Sequence, residues 1–187
     1  HPFLAPPSLP LIYDLRLPPS TLTFPPTSPF SEYEYHQLMA PMHSGTPRRL
    51  RLISEDFPWS FDLDPDIDGR LAGDPTIITC LDILLSLYAA LQKPLGDVEW
   101  GSADDRRRAS ILRARERRLR VAPTTTIYPT NILSSAPTVA RSNRILRVDW
   151  LGSKIAFGGL VKDDEFARRR RLPSSEAAPE TWVVKFR

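Results

Sequence analysis

The residues best suited to hold an ion lie between Asp62 and Gly69 (DLDPDIDG). Asp64, Asp66, Asp68 and Gly69 stand at the first, third, fifth and sixth places of a calcium loop, and clustered carboxylates on a glycine turn are what a hard cation needs. The twelfth place of such a loop supplies a bidentate glutamate, and here it is Pro75. The stretch therefore reads as a solvated acidic turn. His1, His36 and His43 are the nitrogen ligands available. A terminal amine with an imidazole invites comparison with copper sites, but Pro2 follows directly, and all three histidines read as loop or surface residues. No metal and no cofactor is expected. Cys80 opens an apolar run, CLDILLSLYAAL, and in that setting a cysteine is a small buried hydrophobe rather than a reactive thiolate.

Covalent chemistry has no motif to stand on. The chain contains no G-x-S-x-G elbow, no glycine-rich phosphate loop with lysine, no H-E-x-x-H and no CxxC. No catalytic residue is assigned, although a convergent site needs no motif and an enzyme of unknown class stays open. The arginines are the other chemical resource. Eight of them lie between Arg106 and Arg120, and Arg168 to Arg171 form a second run. Guanidinium groups bind phosphate bidentately and would supply a salt-dependent affinity for nucleic acid. Against this, the net charge is only +3. Asp104, Asp105 and Glu116 share the first cluster, with Asp104 to Arg108 and Glu116 to Arg120 at helical ion-pair spacing. The expected interaction surface is Arg113, Arg117, Arg120, Arg169 and Arg170. A protein partner or a second copy of the chain is expected on it, with nucleic acid as the alternative.

These residues need elements to position them. Leu11 to Leu17 alternates apolar and polar residues and predicts a half-buried strand inside a proline-rich arm. Nine of the twenty prolines fall in the first thirty residues, where they favour extended chain running over a body built later. Arg49 to Ser54 predicts a strand, and Phe57 to Leu63 continues it, with Phe57, Trp59, Phe61 and Leu63 on one face. Cys80 to Lys93 predicts the most apolar helix, capped by Thr79, favoured by Asp82 and stopped by Pro94. Ser102 to Arg120 predicts a surface helix with a thin apolar stripe. Residues 122–143 read as a long loop, and 163–180 as another. Arg144 to Leu151 and Lys154 to Val161 predict a hairpin turning at Gly152-Ser153, and Thr181 to Arg187 a closing strand. The order gives an α+β fold: an antiparallel-rich sheet with about two helices on one face and a proline-rich N-terminal arm, in a single domain of residues 1–187.

Composition agrees with a folded chain, since 41% of residues are hydrophobic and 25% charged, which argues against wholesale disorder. One cysteine excludes an internal disulfide and favours a reducing compartment, cytoplasmic or nuclear. No stretch approaches the ~20 apolar residues that span a bilayer, so no membrane association is expected.

The segments HPFLAPPSLPLIYDLRLPPS, FPWSFDL, the helix ending LQKPL, RVDWLGSKIAFGGL and TWVVKFR together resemble a domain of unknown function that is expanded in mushroom-forming basidiomycete fungi. The most telling pieces are His1-Pro2, Tyr13-Asp14-Leu15, Pro58-Trp59, the stretch from Trp150 to Leu160, and Trp182. The resemblance spans His1 to Arg187. It implies a fungal source and a domain start at His1, and it brings no activity, cofactor or catalytic set. The expected function is a non-catalytic interaction module.

Overall fold

The last described strand of the chain lies inside the sheet rather than at its edge. The computed structural model describes residues 1, 3–5, 10–28, 30–31, 38–41, 49–64, 78–120, 143–170 and 179–187. Among the described residues four strands are formed, β1 (Leu50–Ile53), β2 (Phe61–Leu63), β3 (Phe157–Val161) and β4 (Glu180–Phe186), in the spatial order β2-β1-β4-β3. The β1–β2 and β3–β4 pairs are antiparallel and the β1–β4 pair is parallel, so the sheet is mixed and mostly antiparallel. Val183 and Val184 are fully buried on opposite faces of β4. A strand covered on both faces has no use for alternation, which is why Trp182, Val183 and Val184 follow one another without a polar residue between them.

Among the described residues five α-helices accompany the sheet: α1 (Cys80–Leu91), α2 (Asp97–Ser102), α3 (Asp105–Arg120), α4 (Arg147–Trp150) and α5 (Asp164–Arg169). The fold is therefore α+β, as expected. Thr79 and Asp82 start α1 with a full capping box. The Thr79 hydroxyl accepts from Asp82 N–H at 3.1 Å, and the Asp82 carboxylate accepts from Thr79 N–H at 2.9 Å and from its hydroxyl at 2.6 Å. α1 packs over β2 and joins the main core, which runs from Phe3 to Phe186 and includes Leu50, Leu52, Phe61, Leu84 and Leu87. Alternation puts Ile53 and Val183 on the reverse face, where Ala167 of α5 buries against them.

Three sequence expectations are corrected. Arg144 to Leu151 is not a hairpin strand, because Arg147–Trp150 is one helical turn. α4 is enclosed by α1 and α3, so Leu146, Val148, Asp149, Trp150 and Leu151 are all buried, and alternation in such a short enclosed turn carries no period. The supposed loop 163–180 contains α5, which Asp163 caps by accepting from Phe166 N–H at 2.8 Å. Leu11 to Leu17 buries Leu11, Tyr13 and Leu15 and exposes Ile12 as alternation demands. It makes only isolated bridges, Ile12 to Thr23 and Asp14 to Ala156, because the chain turns back where Leu17 N–H reaches Asp14 C=O. The helix predicted from Ser102 to Arg120 forms as α3 with its start at Asp105, where Asp104 accepts from Arg107 N–H at 2.6 Å. The stretch 122–142, Asp66, Asp68, Gly69, His36, His43 and Arg171 lie outside the described residues.

The two outer strands are treated differently. At β3, Phe157 N–H donates to Tyr13 C=O at 2.9 Å and Leu160 N–H to Leu4 C=O at 2.6 Å, so chain from the first fifteen residues covers that edge. β2 is the other edge, and among the described residues no strand pairs with its outer side.

Candidate functional site

The arginines of α3 are mostly occupied within the molecule. A helix leaves its last carbonyls without partners, and cations near that end are favourable. Arg108 donates to Trp100 and Gly101 carbonyls at the end of α2, each at 3.3 Å, with its guanidinium 5.6 Å from the Trp100 ring. Arg107 donates to Trp150 C=O at 3.3 Å and Arg117 to Gly152 C=O at 3.0 Å, both at the end of α4. Arg115 holds Asn143. Arg118 pairs with buried Asp149 through two contacts, 2.8 and 2.9 Å, and Asp149 also accepts from Leu146 N–H. The basic run is thus largely a set of clamps that fasten α3 to α2 and α4.

Of the five expected surface residues, Arg113 and Arg120 are exposed and make no bond among the described residues. Arg117 is exposed but engaged with Gly152. Arg169 is exposed, its closest anion being Glu165 at 3.9 Å. Arg170 is drawn inward, donating to the Phe57 and Trp59 carbonyls at 3.3 and 3.2 Å. Arg113, Arg117 and Arg120 share α3, whereas Arg169 and Arg170 stand at the end of α5, which packs on β4. The predicted i to i+4 pairs at Asp104 and Glu116 do not form; Arg108 instead approaches Asp105 at 3.7 Å. Asp64, first place of the calcium-like loop, is paired with Arg49 at 2.8 Å.

The concave site lies elsewhere. A cleft of about 470 Å³ opens between β2 and α1. One wall is Ser60, Phe61 and Asp62. The other is one side of α1, Leu85, Ser86, Ala89, Ala90 and, past the helix end, Lys93, with Tyr88 beside them. Asp82 and Arg147 complete the lining. Leu85 and Tyr88 are partly exposed, and Ala89 is open to solvent. Burial pushes the Tyr88 phenol above its ordinary value.

Two polar atoms of this lining lack hydrogen-bond partners among the described residues although they are buried, Asp82 Oδ1 and Arg147 Nε. Asp82 spends only Oδ2 on the capping box. Arg147 donates through Nη2 to Glu99 at 3.0 Å and lies over the Trp59 ring at 4.9 Å. Trp59 in turn stacks on Phe57 at 5.3 Å and meets Trp150 edge-on at 5.7 Å, and its own indole N–H is a third buried polar group without a partner among the described residues. Burying a polar group without a partner costs about 1–3 kcal/mol, so two on one cleft are an arrangement a ligand would relieve.

The family described as a family of unknown function (DUF6699) matches residues 11–171. The chain belongs to it. In this DUF6699 member the match takes in β1, β2, all five helices and β3, and so both walls of the cleft. No curated protein and no solved structure matches the chain.

Sequence reasoning passed over this cleft because Asp82 and Lys93 each had a sufficient local role, at the cap and at the last turn. The available signal was spacing. Asp82, Ser86 and Lys93 interrupt one side of an otherwise apolar helix.

Proposed function

We propose that the protein is a non-catalytic interaction module that takes its partner in the cleft between α1 and β2. The carrying observation is the pair of buried atoms without partners on that lining, an acceptor at Asp82 and a donor at Arg147. Sites that bind rather than react are concave, largely preformed and supplied with a few convergent polar groups. The Ser60 and Ser86 hydroxyls have no histidine beside them among the described residues, which favours binding over acyl transfer. The test is a set of small polar fragments titrated into the isotope-labelled protein. Perturbed amides should gather at Ser60, Asp62, Ser86 and Ala89. Perturbations confined to α3 would overturn the reading.

A second reading is nucleic-acid binding. Arg106, Arg113 and Arg120 recur every seven residues, exposed and without bonds among the described residues, and form one stripe along α3. Charge reversal at Arg113, Arg117 and Arg120 should abolish a salt-dependent shift with generic RNA or DNA. An unchanged shift removes this reading. A single buried thiol fits a cytoplasmic or nuclear setting, and the sequence resemblance supports a fungal source; no described helix is long and apolar enough to cross a membrane.

A further inference from the structure

We propose that the cleft receives an extended acidic peptide, about five residues long, laid beside the outer edge of β2. The inference rests on the cleft being the binding site. Its length comes from the helix: Asp82 and Lys93 are eleven positions apart, and about 1.5 Å of rise per residue makes that side of α1 about 16 Å long. An extended chain covers about 3.3 Å per residue, which gives the five. A strand edge facing a helix is a known seat for added strands, since unpaired main-chain groups of the edge supply affinity and the helix side chains select.

The polar groups fit a peptide better than a lone anion or cation. With a small turn of the two side chains, which now shield both atoms, an amide offers an N–H to Asp82 Oδ1 and a C=O to Arg147 Nε, whereas a simple anion would be repelled by Asp82. Charge sets the acidic preference. Lys93 is exposed with no partner among the described residues, and it stands at the opposite end of the helix from Asp82. Asp62, on the facing strand, is neutralised by Arg51 through two contacts at 2.6 and 2.7 Å. A glutamate or aspartate near Lys93 is therefore attracted and meets no free carboxylate there.

The test uses the full chain and a displayed library of random octapeptides. Selected peptides are labelled and titrated by fluorescence anisotropy against the wild type and two surface variants, Lys93→Glu and Ala89→Trp. Both positions are exposed, and circular dichroism checks that each variant keeps its helix content. Enrichment of Asp or Glu, about tenfold or greater weakening by Lys93→Glu, and loss of binding to Ala89→Trp are expected. If no peptide is selected, or selected peptides bind both variants as they bind wild type, the peptide proposal is overturned. The fragment titration separates the two failures: fragments perturbing Ser86 and Ala89 without peptide binding leave the cleft standing, and silence in both experiments removes it as well.

Discussion

Removing the Arg118 side chain should cost more than removing any exposed arginine of α3. Arg118 and Asp149 are 10% and 1% exposed as side chains, and they meet through two parallel contacts at 2.8 and 2.9 Å. In Arg118→Ala the carboxylate stays buried with the Leu146 N–H as its remaining described donor, and the Arg144 carbonyl loses the donor 2.9 Å away. Breaking a buried pair from one side costs about 3–5 kcal/mol. For a chain of this size each 1 kcal/mol moves the midpoint by about 2–4 °C, so Tm should fall by about 6–20 °C. Urea unfolding followed by tryptophan fluorescence reads the change directly, because Trp150 adjoins the pair and Trp59 touches Trp150. Replacing both partners by apolar residues, Arg118→Met with Asp149→Leu, should recover most of the loss, since no charge is then stranded. A loss below about 1 kcal/mol for Arg118→Ala, or a double variant no better than the single one, would refute the argument that the pair clamps α3 to α4.

Other expectations follow from the same geometry. Cys80 is fully buried and desolvation pushes its thiol up to about 12, so it should resist thiol reagents in the native protein and react only on unfolding. Its raised value in the folded state contributes stability that is whole below the ordinary thiol range and is lost as pH rises through about 9 toward 12; Cys80→Ala should flatten that part of the pH profile, leaving the smaller contribution of Tyr88. Thr79→Ala removes a capping hydroxyl that both accepts from and donates to Asp82, and should cost about 1 kcal/mol or somewhat more in urea unfolding. Gly159→Ala should destabilise by about 1 kcal/mol or more, because φ there is +104° at the bulge between β3 and β4, and a stability equal to wild type would contradict that backbone geometry.

Legibility in the sequence followed the length of the physical signal. α1 was readable because its cap, apolar run and proline stop agree over more than a dozen residues, and β1, β2 and β4 because their inward residues are large and apolar. α4 was not, since one turn is too short for a 3.6-residue period and its surroundings bury every side. The arginine helix was readable as a helix, but the partners of Arg107, Arg108 and Arg117 were not, because they are the carbonyl ends of α2 and α4, and main-chain acceptors leave no mark in a sequence. The cleft depends on β2 and α1 lying together with Arg147 between them, three segments far apart along the chain. Only the open spacing of Asp82, Ser86 and Lys93 belonged to the sequence alone.

The central place of β4 also orders events during synthesis. Ser54, at the end of β1, gives its hydroxyl hydrogen to the carbonyl of Val184, 130 residues later. Until β4 has been made, the sheet lacks the strand that joins its two halves, and the apolar inner residues of β1 and β3 have no shared neighbour. Closure waits for the segment Glu180–Phe186. Pairings of that separation form slowly, and unpaired edges invite association while they wait. A nascent chain stalled before Glu180 should therefore be a client for chaperones, and release of those seven residues the step that commits it to its fold.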